Sequence, residues 1–285
     1  MKIVIPTLGR VNNQVTYNSL PDKWKKEVTF VVQAHEYEQM KSIYGDQVLS
    51  LPEEIRTLAP TRTWIQQHFF KDRYWVFDDD LKFFIKDYVN DGKRKWASVD
   101  MTEKDFDEMI QHAHDFMDKG YAHGGCASNW IMPCPPKPGV GPGGGDDLYP
   151  FRSNFRQCTN CFFDGPNLPV IEWDRCPATE DMDGTLQLLF KGIPNIIFMR
   201  HRVNCSETNS DGGCSEYRTV DFHNESQKKF QALWPDYVKL KEKIVPSGPW
   251  KGQTKLNVEV AWKKVYNDGV KNNREVFQTL SEFMA

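Results

Sequence analysis

The stretch that most constrains the fold is Tyr74–Leu81, in which a short apolar run leads directly into three consecutive aspartates. Aromatic and β-branched residues in such a run are typical of a buried strand. Three adjacent carboxylates cannot all be buried without positive partners, because an unpaired buried charge costs many kcal/mol. The sequence therefore predicts a strand that ends in an acidic cluster, which is either a solvated turn or a cation site.

The three aspartates have the spacing of a metal site. Side chains two residues apart in an extended chain point the same way, so Asp78 and Asp80 can converge on one ion while Asp79 points elsewhere. Two carboxylates suit Mg²⁺ or Mn²⁺, which keeps further positions for water and phosphate oxygens. We predict such a metal at Asp78 and Asp80. His201 follows another predicted strand and is a candidate third ligand or phosphate contact, or else a strand-end residue.

Strand and helix patterns alternate before this cluster. Predicted strands lie at 2–6, 28–33, 47–51 and 74–77, and predicted helices at 14–20, 35–44 and 61–71. This alternation predicts a mostly parallel α/β sheet flanked by helices. Ligands of such sheets bind beyond the carboxyl ends of the strands, so Thr7 and Arg10 are predicted to contact a nucleotide. Arg62 falls in the first turn of its predicted helix, where the dipole disfavours a cation, so we expect it to reach an anion such as a diphosphate.

A second acidic group opens a predicted helix further along the chain. Thr179 is a natural N-cap, and Glu180, Asp181 and Asp183 follow it. Favourable interaction with the helix dipole explains one carboxylate, and the others exceed what capping requires. We predict that at least one of them is held for proton transfer.

The overall composition is that of an ordinary globular protein, with 39% hydrophobic and 26% charged residues. No apolar run approaches the roughly 18 residues of a membrane span. Residues 1–6 begin directly as a strand rather than a signal peptide, and the seven cysteines are an odd number. We expect a cytoplasmic protein with reduced thiols and no membrane partner. Cys158 and Cys161 form a lone CxxC pair, for which two thiols on a strand and turn are favoured over a zinc site.

The end of the chain is basic although the whole chain carries a net charge of −3. Residues 223–285 contain eleven Lys or Arg against seven Asp or Glu. We predict a catalytic domain at 1–222 and a helical basic extension at 223–285 packed on it. Aromatic residues such as Trp250 stand among the lysines, which suits base stacking and phosphate binding but also ordinary packing. The Pro/Gly-rich segment 133–147 is predicted to be a lid or substrate loop.

Taken in this order, the motifs resemble the nucleotide-sugar glycosyltransferases of the GT-A fold. The resemblance rests on the Ile5-Pro6-Thr7 strand, the Asp78-Asp79-Asp80 cluster after the fourth strand, and Thr179-Glu180-Asp181 at a helix start. It implies a GT-A-like mixed, mostly parallel sheet, with Asp78 and Asp80 holding Mn²⁺ or Mg²⁺ on the donor diphosphate. In inverting members of this fold, the aspartate that corresponds to Asp181 is the general base.

More narrowly, the chain resembles the TET-associated glycosyltransferases of phages and their relative that makes base J. This likeness rests on residues 59–65, 77–81, 180–183 and 212–215. It implies sugar transfer from a nucleoside-diphosphate sugar, expected to be a UDP-sugar, to 5-hydroxymethylcytosine or 5-hydroxymethyluracil in double-stranded DNA. The location would then be the cytoplasm of a phage host.

The resemblance also divides the predicted site into two sides. The residues assigned to the donor are Thr7, Arg10, Arg62 and Asp79, and those assigned to the acceptor are Glu180, Gly212, Gly213 and Trp250. Basic residues of the extension would hold DNA phosphates. Two alternatives stay open: an enzyme of the same fold acting on a polysaccharide or protein acceptor, and a non-catalytic module that binds a nucleotide or nucleic acid.

Overall fold

The computed structural model describes residues 1–90, 94–129, 131, 150–205 and 212–272. The predicted loop at 133–147 lies outside these residues. The described chain is a mixed α/β structure with one large sheet and helices packed against it, which confirms the predicted GT-A-like fold class. Among the described residues, no helix has both the length and the apolar character needed to cross a bilayer.

The described residues form twelve strands, eight α-helices and five short 3₁₀ helices. The strands are β1 (Lys2–Thr7), β2 (Val28–Val32), β3 (Val48–Ser50), β4 (Arg73–Phe77), β5 (Leu81–Asn90), β6 (Arg94–Asp100), β7 (His123–Ser128), β8 (Phe151–Ser153), β9 (Asn160–Asp164), β10 (Asn195–Cys205), β11 (Val238–Ile244) and β12 (Thr254–Val260). The α-helices are α1 (Val15–Ser19), α2 (Asp22–Lys25), α3 (Tyr37–Tyr44), α4 (Leu58–His68), α5 (Glu103–Asp118), α6 (Glu180–Phe190), α7 (Val220–Leu233) and α8 (Trp262–Asn272). The 3₁₀ helices are Ala34–Glu36, Gly45–Gln47, Gly165–Asn167, Trp173–Arg175 and Gly213–Glu216.

The large sheet has the strand order β3-β2-β1-β4-β9-β7-β10-β5-β6, with β8 paired to β10. Strands β3, β2, β1 and β4 run parallel to one another, β9 runs antiparallel between β4 and β7, and β7 is parallel to β10. The carboxyl ends of the parallel strands therefore meet at one edge. There β1 delivers Thr7 and β4 delivers Asp78.

Strand β4 is buried on both of its faces. Tyr74 and Val76 belong to the apolar cluster that α4 covers, and Trp75 and Phe77 belong to the cluster that α5 covers. Each of these four residues is at most 3% exposed. Burying one such side chain stabilises the fold by about 1.5–3 kcal/mol. The strand is thus a rigid base for the acidic turn that follows it.

Two elements differ from what the sequence predicts. The apolar run at 170–173 is typical of a further strand, but it is absent from the described sheet, and a 3₁₀ helix, Trp173–Arg175, forms there instead. Strand β7 was not predicted, because it contains Gly124 and Gly125 and glycine is rare in strands. A Cβ on Gly124 would collide with the backbone of Ile196 and the ring of Phe162. The glycine therefore permits the close approach of neighbouring strands.

The C-terminal extension was predicted to be helical, but only part of it is. Strands β11 and β12 form an antiparallel hairpin between α7 and α8, and residue 222 lies inside α7. The extension packs on α6 through a cluster that includes Leu186, Leu189, Trp234 and Trp262. Helix α6 is therefore covered by the extension on one side and by the sheet on the other.

Candidate active site

The acidic turn after β4 is fixed by Thr16 of α1. The Thr16 hydroxyl donates to the carbonyl of Asp78 and accepts from the backbone N–H of Leu81 at 2.8 Å. The Thr16 N–H donates to the carbonyl of Asp79 at 3.1 Å. Helix α1 thus places the buried hydroxyl of Thr16 against the turn. These bonds fix the backbone of the turn that carries the three aspartates.

Asp79 holds the side chains of Thr7 and Arg10 in position. Its carboxylate accepts a hydrogen bond from the Thr7 hydroxyl at 2.6 Å and forms an ion pair with Arg10. The Nη1 atom of Arg10 also lies 3.6 Å from Oδ2 of Asp80. Burial raises the pKa of Asp79, and Arg10 opposes that rise. The contacts of Asp79 are thus within the protein, and through them the predicted donor residues Thr7 and Arg10 are held in place.

Asp78 and Asp80 are the two aspartates predicted to hold a cation. Their side chains are 30% and 15% exposed, and both line a pocket. The pKa of Asp78 is raised to about 8, chiefly by burial; Arg62 opposes the rise, and the neighbouring carboxylates Asp80 and Asp79 add to it. A divalent cation would relieve this crowding of negative charge, and an all-oxygen donor pair suits Mg²⁺ or Mn²⁺. The two residues therefore fit the predicted metal.

Among the described residues, no group of three or more His, Cys, Asp or Glu side chains is arranged to hold a metal ion. His201 in particular does not join the two aspartates. Its ring is 1% exposed and lies 5.8 Å from that of His112 and 6.1 Å from that of Phe198, under α5. Magnesium commonly takes only one or two carboxylates from a protein and fills its other positions with phosphate oxygens and water. Asp78 and Asp80 are sufficient for that arrangement.

Arg62 connects the acidic turn to α6. Its guanidinium is buried, with Nε 3.2 Å from Oε1 of Glu180 and Nη2 3.8 Å from Oδ1 of Asp78. Helix α4 begins at Leu58, so Arg62 does not lie in the first turn and the helix-dipole argument made from the sequence does not apply. The anions that it reaches in the structure are carboxylates of the protein. Burial raises the pKa of Glu180 to about 7, and Arg62 counteracts the rise.

The three carboxylates at the start of α6 have different surroundings. Asp183 is fully buried and accepts hydrogen bonds from Trp234 Nε1 at 2.6 Å and from Gln187 Nε2 at 2.8 Å. Glu180 pairs with Arg62. Asp181 lines the pocket, and its Oδ1 accepts a hydrogen bond from the N–H of Met182 at 2.7 Å. Of the three, Asp181 is the carboxylate available to a ligand.

Gly212 and Gly213 pack against the turn that follows β1. The Gly213 N–H donates to the carbonyl of Leu8 at 2.8 Å, and a Cβ on Gly212 would lie 2.7 Å from Cγ of Arg10. The φ angle of Gly212 is +83°, which other residues rarely adopt. Both glycines line the pocket, as their assignment to the acceptor requires. Their contacts in the structure are with the donor-side turn.

These elements enclose a cavity of about 560 Å³ at the carboxyl edge of the parallel strands. This volume is in the range of small-molecule sites. Eleven of the predicted site residues line it: Thr7, Arg10, Arg62, Asp78, Asp79, Asp80, Glu180, Asp181, Gly212, Gly213 and Trp250. The donor and acceptor sides that the sequence predicted separately therefore share one cavity.

The CxxC pair lies at this cavity without forming a metal site. Cys158 lines the pocket and Cys161 is buried behind it, and both are free thiols. Burial raises the pKa of Cys158, and Arg156 opposes that effect. With no third ligand in the described part of the chain, two thiols on a strand and turn account for the motif.

Several lining residues were not predicted from the sequence. The most notable of these are the cations Arg56, Arg156, Arg218 and Lys255, together with Tyr217 and His223. They come from segments far apart in the chain, and none belongs to a motif. The excess of lysine in the extension was a signal for Lys255, but it did not distinguish that residue from the exposed lysines around it.

The order of these elements can be compared with known families. A model of the TET-Associated Glycosyltransferase (TAGT) family matches residues 1–213, which is about three quarters of the chain. The chain belongs to the TET-associated glycosyltransferase family. This confirms the resemblance stated from the sequence and the predicted enzyme class, since the chain is a glycosyltransferase.

Two curated relatives of this glycosyltransferase come from phages. The chain is 26% identical over 254 residues to the Beta-glucosyl-HMC-alpha-glucosyl-transferase of Enterobacteria phage T6, covering 85% of this chain and 84% of the relative. It is 25% identical to the protein of the same name from Enterobacteria phage T2, with the same coverage. The family match ends at residue 213. Helix α7 and the β11–β12 hairpin, which both contribute residues to the pocket, lie beyond it.

Proposed function

We propose that this glycosyltransferase moves a sugar from a nucleoside-diphosphate sugar, a UDP-sugar, to the hydroxymethyl group of 5-hydroxymethylcytosine in double-stranded DNA. The observation that carries the proposal is the shared cavity, which Asp78, Asp80 and Asp181 all line. The phage relatives support the acceptor, because their names include HMC. A chain of this family with such a cavity has the groups that donor binding and acceptor activation both need.

The donor side would hold the diphosphate of the sugar nucleotide. Asp78 and Asp80 would bind Mn²⁺ or Mg²⁺, which when present offsets the charge that develops on the leaving nucleoside diphosphate. Arg10 lies beside Asp80 and can donate charge-assisted hydrogen bonds to phosphate oxygens. Thr7 and Asp79 fix the position of that guanidinium. Arg62 balances the charge of Asp78 and Glu180, which lets two carboxylates remain close together in a buried site.

The acceptor side would supply proton transfer. Asp181 accepts the proton of the acceptor hydroxyl as its oxygen attacks the anomeric carbon, and the bond to the diphosphate breaks on the opposite face. Direct displacement of this kind inverts the configuration of the sugar. Its contribution to the rate as a general base would be about 10²–10⁴-fold. The Met182 N–H bonded to Oδ1 fixes the orientation of the carboxylate.

A base in an intact duplex cannot reach a carboxylate inside a cavity. The hydroxymethylated base therefore enters the pocket after rotating out of the DNA stack, which costs a few kcal/mol. Trp250 lies at the wall of the cavity, 5.9 Å from the ring of His223. An aromatic ring there is suited to stack on an extruded base.

The test is transfer to defined DNA. Duplexes containing cytosine, 5-hydroxymethylcytosine or 5-hydroxymethyluracil would be incubated with Mn²⁺ and a panel of UDP-sugars, digested to nucleosides and analysed by mass spectrometry. We expect a hexose or pentose increment on hydroxymethylcytosine and none on cytosine. Transfer to a glycan or protein alone would replace the proposal with the polysaccharide or protein alternative. Absence of any donor turnover would favour the non-catalytic binding module.

A second acceptor is favoured by the names of the relatives, which contain glucosyl as well as HMC. The hydroxyl that attacks could belong to a glucose already attached to hydroxymethylcytosine. A duplex whose hydroxymethylcytosine has been glucosylated beforehand distinguishes the two acceptors, because transfer to it adds a second sugar to the same nucleoside. NMR of the product gives the anomeric configuration and tests inversion in the same experiment.

A further inference from the structure

Part of the wall of the pocket carries positive charge. Arg218 and Lys255 line this part, and Lys243 lies next to Lys255 on the neighbouring strand of the hairpin. We call these three residues the basic wall. All three lie beyond residue 213, where the family match ends.

The hairpin places two of these cations directly opposite each other. In the register of β11 and β12, Lys243 pairs with Lys255, whereas Lys239 pairs with Glu259. Lys241, on the same strand, forms an ion pair with Glu259 at 2.5 Å. Like charges directly opposite in an antiparallel pair are destabilising. The hairpin thus balances charge at its far end and leaves it unbalanced at the pocket.

The charge of the basic wall is not neutralised within the described part of the chain. Burial lowers the pKa of the Lys255 ammonium, and Arg218, Lys243 and Arg156 lower it further. No carboxylate among the described residues pairs with Arg218, Lys243 or Lys255. The Nε of Arg218 is buried and has no hydrogen-bond partner among them. Such a group of cations at a cavity is suited to an anion that comes from outside the protein.

The hairpin is held firmly against α7, so the basic wall has a defined position. The Asn224 side chain donates to the carbonyl of Thr254 at 2.9 Å and accepts from the N–H of Leu256 at 2.8 Å. A ring nitrogen of His223 bonds to the carbonyl of Leu256 at 2.9 Å. Lys255 Nζ lies 5.6 Å from the ring centroid of Trp250. These bonds fix β12 on both sides of Lys255.

We infer that Arg218, Lys243 and Lys255 bind a backbone phosphate of the acceptor DNA, beside the nucleotide whose base enters the pocket. The inference rests on the proposed function and assigns its DNA contact to one hairpin. A donor diphosphate inside the cavity is the less suitable occupant, because Lys243 lies outside the residues that line the pocket. A DNA strand passing the mouth of the pocket would contact all three cations while its base lies near Trp250.

The experiment compares Lys243→Gln and Lys255→Gln with Lys26→Gln, a matched control. Lys26 is an exposed residue just before β2, at the amino edge of the parallel strands. With duplex hydroxymethylcytosine DNA, each hairpin variant should raise KM about tenfold, as expected for loss of one charge-assisted contact. The slope of log KM against log salt should become shallower by about 0.9 for each lost phosphate contact. The control should match the wild type in both measurements.

Two further measurements separate this inference from the proposed function. Calorimetric affinity for UDP-glucose with Mn²⁺ should not change in Lys243→Gln, and a rise in its Kd would assign the cation to the donor and overturn the inference. Fluorescence anisotropy with unmodified duplex DNA should show the same loss of affinity and shallower salt slope whether or not any sugar is transferred. If both hairpin variants bind DNA as tightly as the wild type, the basic wall is not a phosphate site, even if glycosylation of DNA is demonstrated.

Discussion

At the scale of the residue, the site separates carboxylates that organise the protein from those that face a ligand. Asp79 and Asp183 are buried, and their carboxylates accept hydrogen bonds from Thr7 and Trp234, respectively. Asp78, Asp80 and Asp181 line the cavity; Asp79 lines it as well, but its carboxylate is bonded to Thr7 and Arg10. Neutralising a residue of the first group should cost stability, whereas neutralising one of the second should cost activity.

Asp78→Asn and Asp80→Asn should each abolish sugar-nucleotide turnover that depends on the metal. The melting temperature without metal should stay the same or rise, because the folded protein no longer crowds two carboxylates at the end of β4. Turnover with Mn²⁺ and thermal melting in a chelator measure the two effects. Asp72→Asn, on the side chain paired with Lys2 away from the cavity, serves as the control. Full turnover in the variants would remove these aspartates from the metal site.

Asp181→Asn should reduce the rate of transfer by about 10²–10⁴-fold, the usual contribution of a general base. Donor affinity should be retained, because Asp181 is proposed to act on the acceptor and forms no ion pair with Arg62 within the described residues. Calorimetry with the UDP-sugar and single-turnover kinetics give the two values. Loss of donor binding together with a lowered melting temperature would instead make Asp181 a structural residue.

Much of the site could be predicted at this scale, because polar residues that follow buried strands converge at one edge of a parallel sheet. That rule found Thr7, Arg10 and the aspartates. It could not predict which aspartate bonds to other protein groups and which lines the cavity for a cation, since this depends on Thr16 and Arg10, which are distant in sequence. It also placed His201 with the metal, although the sheet turns that ring toward α5.

At the scale of the element, α4 and α6 are joined across the pocket by one buried ion pair. Arg62 on α4 bonds to Glu180 at the start of α6. Arg62→Met would leave Glu180 and Asp78 without their cation, which typically costs about 3–5 kcal/mol. Adding Glu180→Gln should recover part of that loss, because one uncompensated charge is removed. Denaturant unfolding of the two single variants and the double variant measures the coupling, and strictly additive losses would contradict it.

The elements that the sequence predicted well are those with a single clear period or cap. Helix α6 begins at Glu180, directly after the predicted N-cap Thr179. Strand β7 was missed because its two glycines serve contacts with distant strands rather than any local preference. The start of α4 was misplaced because the helix begins before Pro60, directly after Thr57, whose side chain makes no cap hydrogen bond. Local patterns thus predict an element well only when its own residues determine it.

At the scale of the whole molecule, buried histidines make stability depend on pH. His123 is fully buried under the sheet edge, and burial lowers its pKa to about 4. Between pH 6.5 and 4 the unfolded chain takes up a proton at this histidine that the folded chain excludes, so stability falls as the pH falls. The advantage of the wild type over His123→Gln should therefore shrink by about 1.4 kcal/mol per pH unit below 6.5. Urea unfolding at several pH values tests this, and a constant difference would contradict it.

The arrangement of the whole molecule was predictable in outline. Alternating strands and helices gave the parallel half of the sheet, while the antiparallel insertion of β9 between β4 and β7 depends on pairing between residues far apart in sequence. The spacing of lysines and aromatic residues in the extension fits both the helical and the strand period, so the prediction of helix there could not be distinguished from strand. The structure shows that a hairpin in this extension completes the wall of the cavity.

The bond between Trp234 and Asp183 has a consequence for how such a protein can be divided or recombined. An indole from the extension satisfies a carboxylate on the helix that also carries Asp181. A chain cut at residue 213 would keep every residue matched to the family but lose this indole, and of its described partners only Gln187 and Arg175 would remain close to the carboxylate. An exchange of the C-terminal segment between related chains should therefore keep a hydrogen-bond donor at the position of Trp234.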